Sequence, residues 1–458
     1  MLTLNNEIPS LTKYMGSKAE IIDYVVKGLN DIHKANQDVC DLFAGSSTLA
    51  GALRNNPIKF ISNDIQIYSS VFSSTYFNKY NWDKYPTAEE IIDEVRQIVL
   101  EWVESLSDYW NKCDYNRDFT LKEFNELELF QQELNNNSDF INKIETNQNR
   151  NIREYNLFTK CYSGTYFSFR QCIWIDALRL VADRYKSIDE LHNLILATTM
   201  YAMAYNSQST GHYAQYRKAD KESSKDDILK YRRVNIESYF IRKYEEIKKV
   251  INNNCGELET YSLSYEECLD SIDSNTLVYA DPPYCQVHYS RFYHILETFV
   301  RYDYPELKFG GRYRTDRHQS PFCISTKVRG AFRTLFEKIK NKESELVLSY
   351  SNSSTSMIGL ETICLDAYNI FNDLKIEDEL ILDKLKSFII EQEKIQIESN
   401  SDIGNKKEIN ININKFFLNK STEYEITLKM FEHIHSTMGR REKKENEVLE
   451  TLILVNKQ

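Results

Sequence analysis

The stretch "VYADPPYCQ" at residues 278–286 places two prolines between a carboxylate and an aromatic ring, at the end of an apolar run. Asp281 supplies one hydrogen-bond acceptor. The carbonyl of Pro282 supplies a second without a competing donor, because proline has no N–H. Two acceptors aimed at the exocyclic amine of a nucleobase favour a pyramidal nitrogen with a localised lone pair. Pro283 stiffens the loop, which preorganises the acceptors, and Tyr284 can stack on the base.

This chemistry sets requirements on the base and on the group that reacts with it. A base inside a duplex cannot reach such a loop, so it must be flipped out at a cost of a few kcal/mol, and stacking on an aromatic ring returns roughly 1–3 kcal/mol. No metal, general acid or covalent nucleophile is needed if the electrophile is an activated methyl group, such as a methylsulfonium. Two prolines alone more often mark the end of a strand, so the interpretation depends on the surrounding elements.

A second motif, "DLFAGSS" at residues 41–47, ends an apolar run and precedes a helical pattern. Ligands of doubly wound sheets bind at the carboxyl ends of the strands, where a glycine such as Gly45 lets a ligand approach the backbone. Asp64 ends the next apolar run, 23 residues after Asp41, and an acid there suits the two hydroxyls of a ribose. Phe43 offers an apolar wall for an adenine ring. An ordinary strand-to-helix turn explains the glycine equally well, and the absence of G-K-[ST] excludes a nucleotide triphosphate loop.

Hydrophobic periodicity predicts the elements that position these motifs. Apolar residues at helical spacing predict a helix over residues 18–32. A strand, a helix and a second strand follow in under thirty residues, which is typical of a βαβ unit in a parallel sheet. Further strands are predicted within residues 275–284, 344–354, 423–431 and 450–456. The fold class is therefore α/β.

The two halves of this sheet are separated by a long segment with helical patterns. Residues 1–65 and 271–458 are predicted to form the core, with an insertion near 366–415. Residues 66–270 are predicted to form a mainly helical insertion, which is the candidate target-recognition region.

Three local patterns lie within the helical segment. Thr87 and Glu90 form a capping box at the start of an amphipathic helix, and residues 187–205 are typical of a long buried helix. Residues 131–151 contain seven asparagines in 21 positions without periodicity, and we expect a mobile loop there.

Four motifs in this order resemble the Dam-like, adenine-specific DNA methyltransferases: "KYMGSK" (13–18), "DLFAG" (41–45), "ISND" (61–64) and "ADPPY" (280–284). The order is similar to the alpha arrangement of that family, in which cofactor motifs precede a variable target-recognition region and then the catalytic motif. The resemblance covers most of the chain. It implies a Rossmann-like S-adenosylmethionine-dependent methyltransferase sheet with a largely helical insertion. The implied reaction is methyl transfer to N6 of a flipped adenine at a specific site in DNA.

The resemblance also implies roles for individual residues. The implied cofactor site comprises Tyr14, Lys18, Asp41, Phe43, Gly45 and Asp64. Asp64 would take the ribose hydroxyls, and Asp281 and Tyr284 would hold the target adenine. Pro282 and Pro283, which lie between them in the sequence, would stiffen the loop. Ser47 departs from the pattern, because many relatives carry a second glycine there.

A basic region follows the catalytic motif in a chain whose net charge is −11. Residues 301–333 hold eight Lys and Arg against three acidic residues, and arginine can neutralise phosphates or read guanine while glutamine pairs with adenine. The candidate DNA contacts are Arg291, Arg312, Arg314, Arg317, Gln319, Arg440 and Arg441. A solvated loop partly neutralised by Asp316 is the alternative. His433 and His435 could share one strand face, but no Cys or acid partner stands at ligand spacing, so no metal site is predicted.

Composition narrows the setting in which the chain works. The nine cysteines are scattered without a C-x-x-C pair, which indicates free thiols in a reducing compartment. The sequence contains no run of roughly 18 apolar residues, which a membrane span would require. The first residues lack the pattern of a secretory signal, so we expect a cytoplasmic protein. The expected partners are double-stranded DNA and a cognate restriction or defence protein.

Three other functions remain compatible with parts of the pattern. An RNA adenine-N6 methyltransferase can share a D/N-P-P-Y loop. A DNA-binding module that has lost catalysis would keep the basic region, although the intact Asp64 and Asp281 argue against it. A protein glutamine methyltransferase typically shows N-P-P-Y, from which Asp281 differs.

Overall fold

A mixed central sheet organises the chain in the computed structural model. The model describes residues 1–209, 211–252, 255–283, 286, 288–351, 356–376, 378–399, 408–417, 422–434 and 447–458. The strands within these ranges are β1 (Val39–Asp41), β2 (Lys59–Asn63), β3 (Glu257–Tyr261), β4 (Leu277–Ala280), β5 (Leu307–Lys308), β6 (Tyr313–Arg314), β7 (Leu346–Ser351), β8 (Glu408–Asn412), β9 (Tyr424–Ile434) and β10 (Glu447–Lys457).

Helices surround the sheet on both faces. They are α1 (Ile22–Ile32), α2 (Thr48–Leu53), α3 (Ile67–Phe77), α4 (Ala88–Ser105), α5 (Ser107–Lys112), α6 (Leu121–Gln132), α7 (Ser138–Glu145), α8 (Arg150–Glu154), α9 (Leu157–Cys161), α10 (Phe169–Arg184), α11 (Asp189–Asn206), α12 (Glu222–Arg232), α13 (Ile236–Val250), α14 (Tyr265–Ser271), α15 (Tyr289–Phe292), α16 (His294–Arg301), α17 (Val328–Asn341), α18 (Leu360–Phe371) and α19 (Glu379–Ser399). A 3-10 turn at Lys18–Ile21 leads into α1. Among the helices in the described ranges, none combines the length and apolar composition that a membrane crossing requires.

The strand order of the main sheet is β3-β2-β1-β4-β7-β10-β9-β8. The strands from β3 to β7 are parallel, whereas β10 runs antiparallel to both β7 and β9. Cys40 in β1 pairs with Ile61 on one side and with Val278 on the other. The chain therefore leaves β1 towards β2 and returns on the opposite side at β4, which makes a topological switch point between β1 and β4. The predicted α/β class with a mostly parallel sheet is confirmed.

The parallel strands are buried on both faces, which explains their continuous apolar runs. Phe60 packs with α1, α2 and α3, and its neighbour Ile61 packs with α14, α17 and α18 on the other face. In β4, Leu277 belongs to the same apolar cluster as Phe60, and Val278 belongs to the same cluster as Ile61.

The predicted helical segment contains one strand of the sheet. Helices α4–α13 follow one another between β2 and β3, and the predicted capping box of Thr87 and Glu90 is present at the start of α4. The chain returns to the sheet at Glu257, before the predicted boundary at 271, because β3 pairs in parallel with β2. This short strand is less apolar than the other parallel strands, since it lies at the edge of the sheet.

The asparagine-rich stretch is helical, so the loop predicted for residues 131–151 is wrong. It contains the end of α6, all of α7 and the start of α8. The side chain of Asn137 accepts a hydrogen bond from the N–H of Phe140, and that of Asn149 accepts one from Asn151. These asparagines cap helices, and short capped helices do not leave a long periodic pattern in the sequence.

The segment near 366–415, predicted as an insertion, packs on the core where the structure describes it. Leu385 of α19 and both Ile409 and Ile411 of β8 are buried in the same apolar cluster as Leu348 of β7. The strand β8 extends the sheet by pairing with β9.

Replacing Asn137 with alanine tests the capping role of the asparagines. We expect the free energy of unfolding to fall by about 1 kcal/mol, because the N–H of Phe140 loses its acceptor. Asn135→Ala is the matched control, since Asn135 is exposed on the preceding turn, and we expect a change within about 0.5 kcal/mol. Denaturant titration measures both values, and equal losses in the two variants would contradict the capping role.

Candidate active site

Three carboxylates meet where β1, β2 and β4 end. Asp41 is the last residue of β1, Asp64 directly follows β2, and Asp281 directly follows β4. Neighbouring parallel strands lie about 4.8 Å apart, so their carboxyl ends bring these side chains together. All three line one open cleft. The two motifs singled out in the sequence therefore form a single site.

The glycine turn after β1 is fastened to the end of β2. Gly45 has a φ of +52°, and its N–H donates to Oδ2 of Asp64 at 2.9 Å. The N–H of Gln66 donates to Oδ1 of the same carboxylate at 2.9 Å. A Cβ at position 45 would lie 2.7 Å from the hydroxyl oxygen of Tyr14. The conformation and the close approach of Tyr14 both require glycine.

Ser47 adopts the left-handed conformation that a glycine would take at the same place. Its φ is +57°, and the side chain is fully buried. The hydroxyl donates to the carbonyl of Ser69 at 3.0 Å and accepts from the hydroxyl of Ser73 at 2.8 Å. These hydrogen bonds to α3 offset part of the cost of about 1–2 kcal/mol for a left-handed residue. The departure from the family pattern therefore leaves the turn intact.

Burial raises the pKa of each of the three aspartates at the strand ends. The pKa of Asp64 is raised to about 6 by burial, against the opposing effect of the N–H groups of Gln66 and Gly45. The pKa of Asp41 is raised well above its ordinary value by burial and by the charges of Asp281 and Asp64. Within the described residues, no hydrogen-bond donor reaches Oδ1 of the buried Asp41. An unpaired buried oxygen beside an open cleft indicates a place for a donor from a ligand.

A lysine from the N-terminal motif forms an ion pair with the carboxylate that follows β4. Nζ of Lys18 lies 3.3 Å from Oδ1 of Asp281 and 3.6 Å from Oε2 of Glu450. Burial raises the pKa of Asp281 to about 6, while Lys18 lowers it and Glu450 raises it. Burial opposes the charge on Lys18, but the two carboxylates outweigh it and raise the lysine pKa. The next residue, Pro282, is buried in the wall of the cleft.

Aromatic rings form two walls of the cleft. Tyr14 stacks on Tyr293 with ring centroids 4.3 Å apart and an interplanar angle of 9°. The ring centroid of Phe43 lies 6.1 Å from that of Tyr265 in a stacked arrangement. It lies 5.5 Å from the ring centroid of Phe322 in a T-shaped arrangement. The predicted apolar wall at Phe43 therefore belongs to a larger aromatic cluster.

Several candidate residues lie outside the described ranges. Tyr284 of the catalytic motif, Arg440 and Arg441 are among them, and so are the side chain of His433 and all of His435. Their predicted roles stay predictions. In the described ranges, no three His, Cys, Asp or Glu side chains come together as a metal site requires.

The arginines of the basic region divide into two groups. The buried guanidinium of Arg314 contacts both oxygens of Asp303, at 2.6 and 2.8 Å, and both oxygens of Asp316, at 3.0 and 2.9 Å. Arg312 donates to the carbonyls of Cys161 and Gln132. These two side chains therefore hold the loop together and would have to give up their partners before they could contact DNA.

Three predicted DNA contacts lie near the cleft and make fewer internal hydrogen bonds and ion pairs than Arg312 and Arg314. The guanidinium groups of Arg291 and Arg317 lie 5.4 and 5.9 Å from the ring centroid of Tyr313. Gln319 is exposed, and its neighbours His318 and Ser320 line the cleft.

The sequence analysis missed Glu450 and Tyr293. Glu450 is the first residue of the strand predicted at residues 450–456, whereas β10 begins at Glu447 and places Glu450 inside the strand. The stacking of Tyr293 on Tyr14 joins positions 279 residues apart, and no local pattern indicates it.

Gly45→Ala tests the close approach of Tyr14 to the turn. We expect a loss of about 1–2 kcal/mol from the left-handed conformation, with a further loss from the contact with the Tyr14 hydroxyl. Adding Tyr14→Phe to Gly45→Ala should recover the loss that comes from the contact with the Tyr14 hydroxyl, but not the loss from the left-handed conformation. Gly330→Ala is the control, because that position on α17 has open space around it and should gain about 0.5–1 kcal/mol. Denaturant titration of the four proteins decides, and an unaffected Gly45→Ala variant would contradict the described turn.

Comparison with known proteins identifies the chain. The model of the D12 class N6 adenine-specific DNA methyltransferases matches residues 14–353. The modification methylase LlaI of Lactococcus lactis subsp. lactis is 23% identical over 354 residues, which cover 75% of this chain and 46% of that protein. The type II methyltransferase M.FokI of Planomicrobium okeanokoites is 30% identical over 194 residues, 41% of this chain and 27% of that protein.

A third relative is matched over most of its length. The type II methyltransferase M.NlaIII of Neisseria lactamica is 22% identical over 356 residues, which cover 76% of this chain and 85% of that protein. The chain thus spans less than half of LlaI and about a quarter of M.FokI. Because the family model covers about three quarters of the residues and includes both motifs of the cleft, the chain belongs to the D12 class N6 adenine-specific DNA methyltransferases.

Proposed function

We propose that this chain transfers a methyl group from S-adenosylmethionine to N6 of a flipped adenine at a specific site in duplex DNA. The observation that carries the proposal is the single cleft in which Asp281 faces Asp64 and the Gly45 turn. The parallel strands with a switch point between β1 and β4 support a Rossmann-like core.

The residues of the cleft fit the cofactor. Each oxygen of Asp64 already accepts one backbone hydrogen bond and keeps a lone pair for a ribose hydroxyl. The unpaired Oδ1 of Asp41 offers an acceptor for an amino group. Phe43 and Tyr14 offer aromatic surfaces for an adenine ring and a methionine chain. When bound, S-adenosylmethionine supplies an electrophilic methyl group.

The catalytic loop prepares the amine of the base. Above a pH of about 6, Asp281 is ionised and accepts a hydrogen bond from one N–H of the amine. The carbonyl of Pro282 accepts from the other N–H, since proline has no N–H that would compete as a donor. Tyr284 stacks on the base in this proposal. The acceptors localise the nitrogen lone pair towards the methyl group.

The basic rim and the helical segment are the proposed DNA-binding surfaces. Arg291, Arg317 and Gln319 surround the cleft and reach phosphates or bases of a duplex, and Arg440 and Arg441 remain candidates. Helices α4–α13 form the proposed target-recognition region. The names of LlaI, M.FokI and M.NlaIII as modification or type II methyltransferases support a role in modification alongside a restriction enzyme.

Asp281→Asn tests the catalytic role directly. We expect turnover to fall at least about a hundredfold, since the amide presents a weaker acceptor to the amine, while S-adenosylmethionine binding persists. Asp366→Asn is the matched control, because Asp366 on α18 is a buried carboxylate that pairs with Arg329 of α17. Transfer of a tritiated methyl group to mixed-sequence duplex DNA measures turnover, and calorimetry measures cofactor binding.

The same assay separates the proposal from its alternatives. Digestion of the labelled DNA should place the label in 6-methyladenine. Label in 5-methylcytosine, or transfer to RNA in preference to duplex DNA, would refute the proposal. Cofactor binding without any transfer to DNA, RNA or protein would indicate a binding module.

The pKa of Asp64 predicts how cofactor affinity depends on pH. The ribose hydroxyls need an ionised carboxylate, and protonation removes one acceptor as the pH falls through about 6. We expect affinity at pH 5 to be about tenfold below that at pH 8. Asp64→Asn should bind weakly at both values with a smaller difference between them. Calorimetry at the two pH values decides, and an unchanged pH dependence in Asp64→Asn would assign the effect elsewhere.

A further inference from the structure

A buried glutamate from the C-terminal hairpin reaches the catalytic loop through one lysine. Glu450 lies on β10, paired with Ser351 of β7 and Phe431 of β9, and its side chain is 2% exposed. Its Oε2 lies 3.6 Å from Nζ of Lys18, which contacts Oδ1 of Asp281 at 3.3 Å. One ammonium group therefore bridges two carboxylates inside the protein.

The position of this glutamate is costly without its partner. A carboxylate on the central part of a buried strand loses its hydration, and only a paired and hydrogen-bonded charge is tolerated there. The strand that carries it follows Asp281 by more than 160 residues and lies outside the segment matched by the family model, which ends at residue 353. A packing role alone would be met by an apolar residue.

We propose that Glu450 is a positioning residue that shares the ammonium group of Lys18 with Oδ1 of Asp281, so that the C-terminal hairpin sets how strongly the lysine pairs with that carboxylate. This inference rests on the proposed function. Sharing the ammonium group between two carboxylates keeps it from neutralising Asp281 alone. Lys18 contacts Oδ1 of Asp281, and Ser349 of β7 also interacts with this carboxylate, so the strength of the lysine contact affects how well the carboxylate accepts a hydrogen bond from the target amine.

Other charged groups surround the pair and enter its titration. Asp41 at the end of β1 lies close enough to interact with Asp281, and Tyr279 of β4 and Tyr289 of α15 both interact with Lys18. Within the described residues, the titratable groups that interact at this centre include Lys18, Asp41, Tyr279, Asp281, Tyr289 and Glu450. Glu450 is the member of this set that can be neutralised without touching the residues that we place against the cofactor or the base.

Glu450→Gln gives the main test, read as the pH profile of kcat. Removing the negative charge of Glu450 takes away its repulsion of Asp281 and strengthens the attraction of Lys18 to Asp281. Both effects favour the ionised form of Asp281. We expect the acidic limb of the profile to move about one pH unit lower. We also expect kcat on the plateau to fall about tenfold, because the tighter pair competes with the amine. An unmoved limb with a wild-type plateau would overturn the proposal.

Glu345→Gln is the matched control for the loss of a buried, lysine-paired glutamate. Glu345 is fully buried beside the amino end of β7, where it contacts Lys34 and Gln37. It lies at the opposite end of the strands from the cleft. We expect lower stability with an unmoved pH profile, and an equal shift in this variant would also overturn the proposal.

Glu450→Asp covers the case in which Glu450→Gln does not fold. It keeps the charge and withdraws it from Lys18 by one methylene, so we expect a limb near the wild-type pH with a reduced kcat. Wild-type kcat in this variant would overturn the proposal.

An independent readout separates this inference from the proposed function. The carboxyl carbon resonance of Asp281, assigned by its loss in Asp281→Asn, reports ionisation whether or not the chain methylates DNA. We expect its titration midpoint to fall in Glu450→Gln and to stay in place in Glu345→Gln. A wild type without transfer to DNA but with this shift would refute the function and retain the Glu450–Lys18–Asp281 link, whereas an unshifted midpoint would refute the link.

Discussion

The parallel pairing of β1 with β2 and β4 places three carboxylates at one edge of the sheet, and the rest of the site compensates for that placement. Asp41, Asp64 and Asp281 lie at the ends of strands that are buried on both faces. Water is scarce there, so burial raises the pKa of each carboxylate. The same environment strengthens hydrogen bonds from any ligand that supplies donors.

Compensation comes from different parts of the chain for each carboxylate. The backbone N–H groups of Gly45 and Gln66 donate hydrogen bonds to Asp64, and Lys18 forms an ion pair with Asp281. Asp41 has an oxygen without a donor in the described residues, which makes it the place where a ligand gains most from a new hydrogen bond.

The basic loop after the catalytic motif combines a structural and an outward-facing part. Arg314 is buried between Asp303 and Asp316 of the same loop, and Arg312 fastens the loop to the helical segment through the carbonyls of Cys161 and Gln132. Arg291 and Arg317 stay around the ring of Tyr313 at the rim of the cleft. A surface built on an internal ion-pair network can present its outer arginines to a phosphate backbone without losing its shape.

The sequence by itself determined the α/β class, the strands that carry the motifs, and the meeting of Gly45, Asp64 and Asp281. These features are local, because strand patterns and turn residues are read within a few positions, and parallel strands place their carboxyl ends together. Only the tertiary structure decided the burial of Arg314, the capping role of Asn137 and the contact of Glu450 with Lys18. A charged side chain looks the same in sequence whether it faces solvent or a buried partner, and the partner is chosen by the packing of segments far apart in the chain.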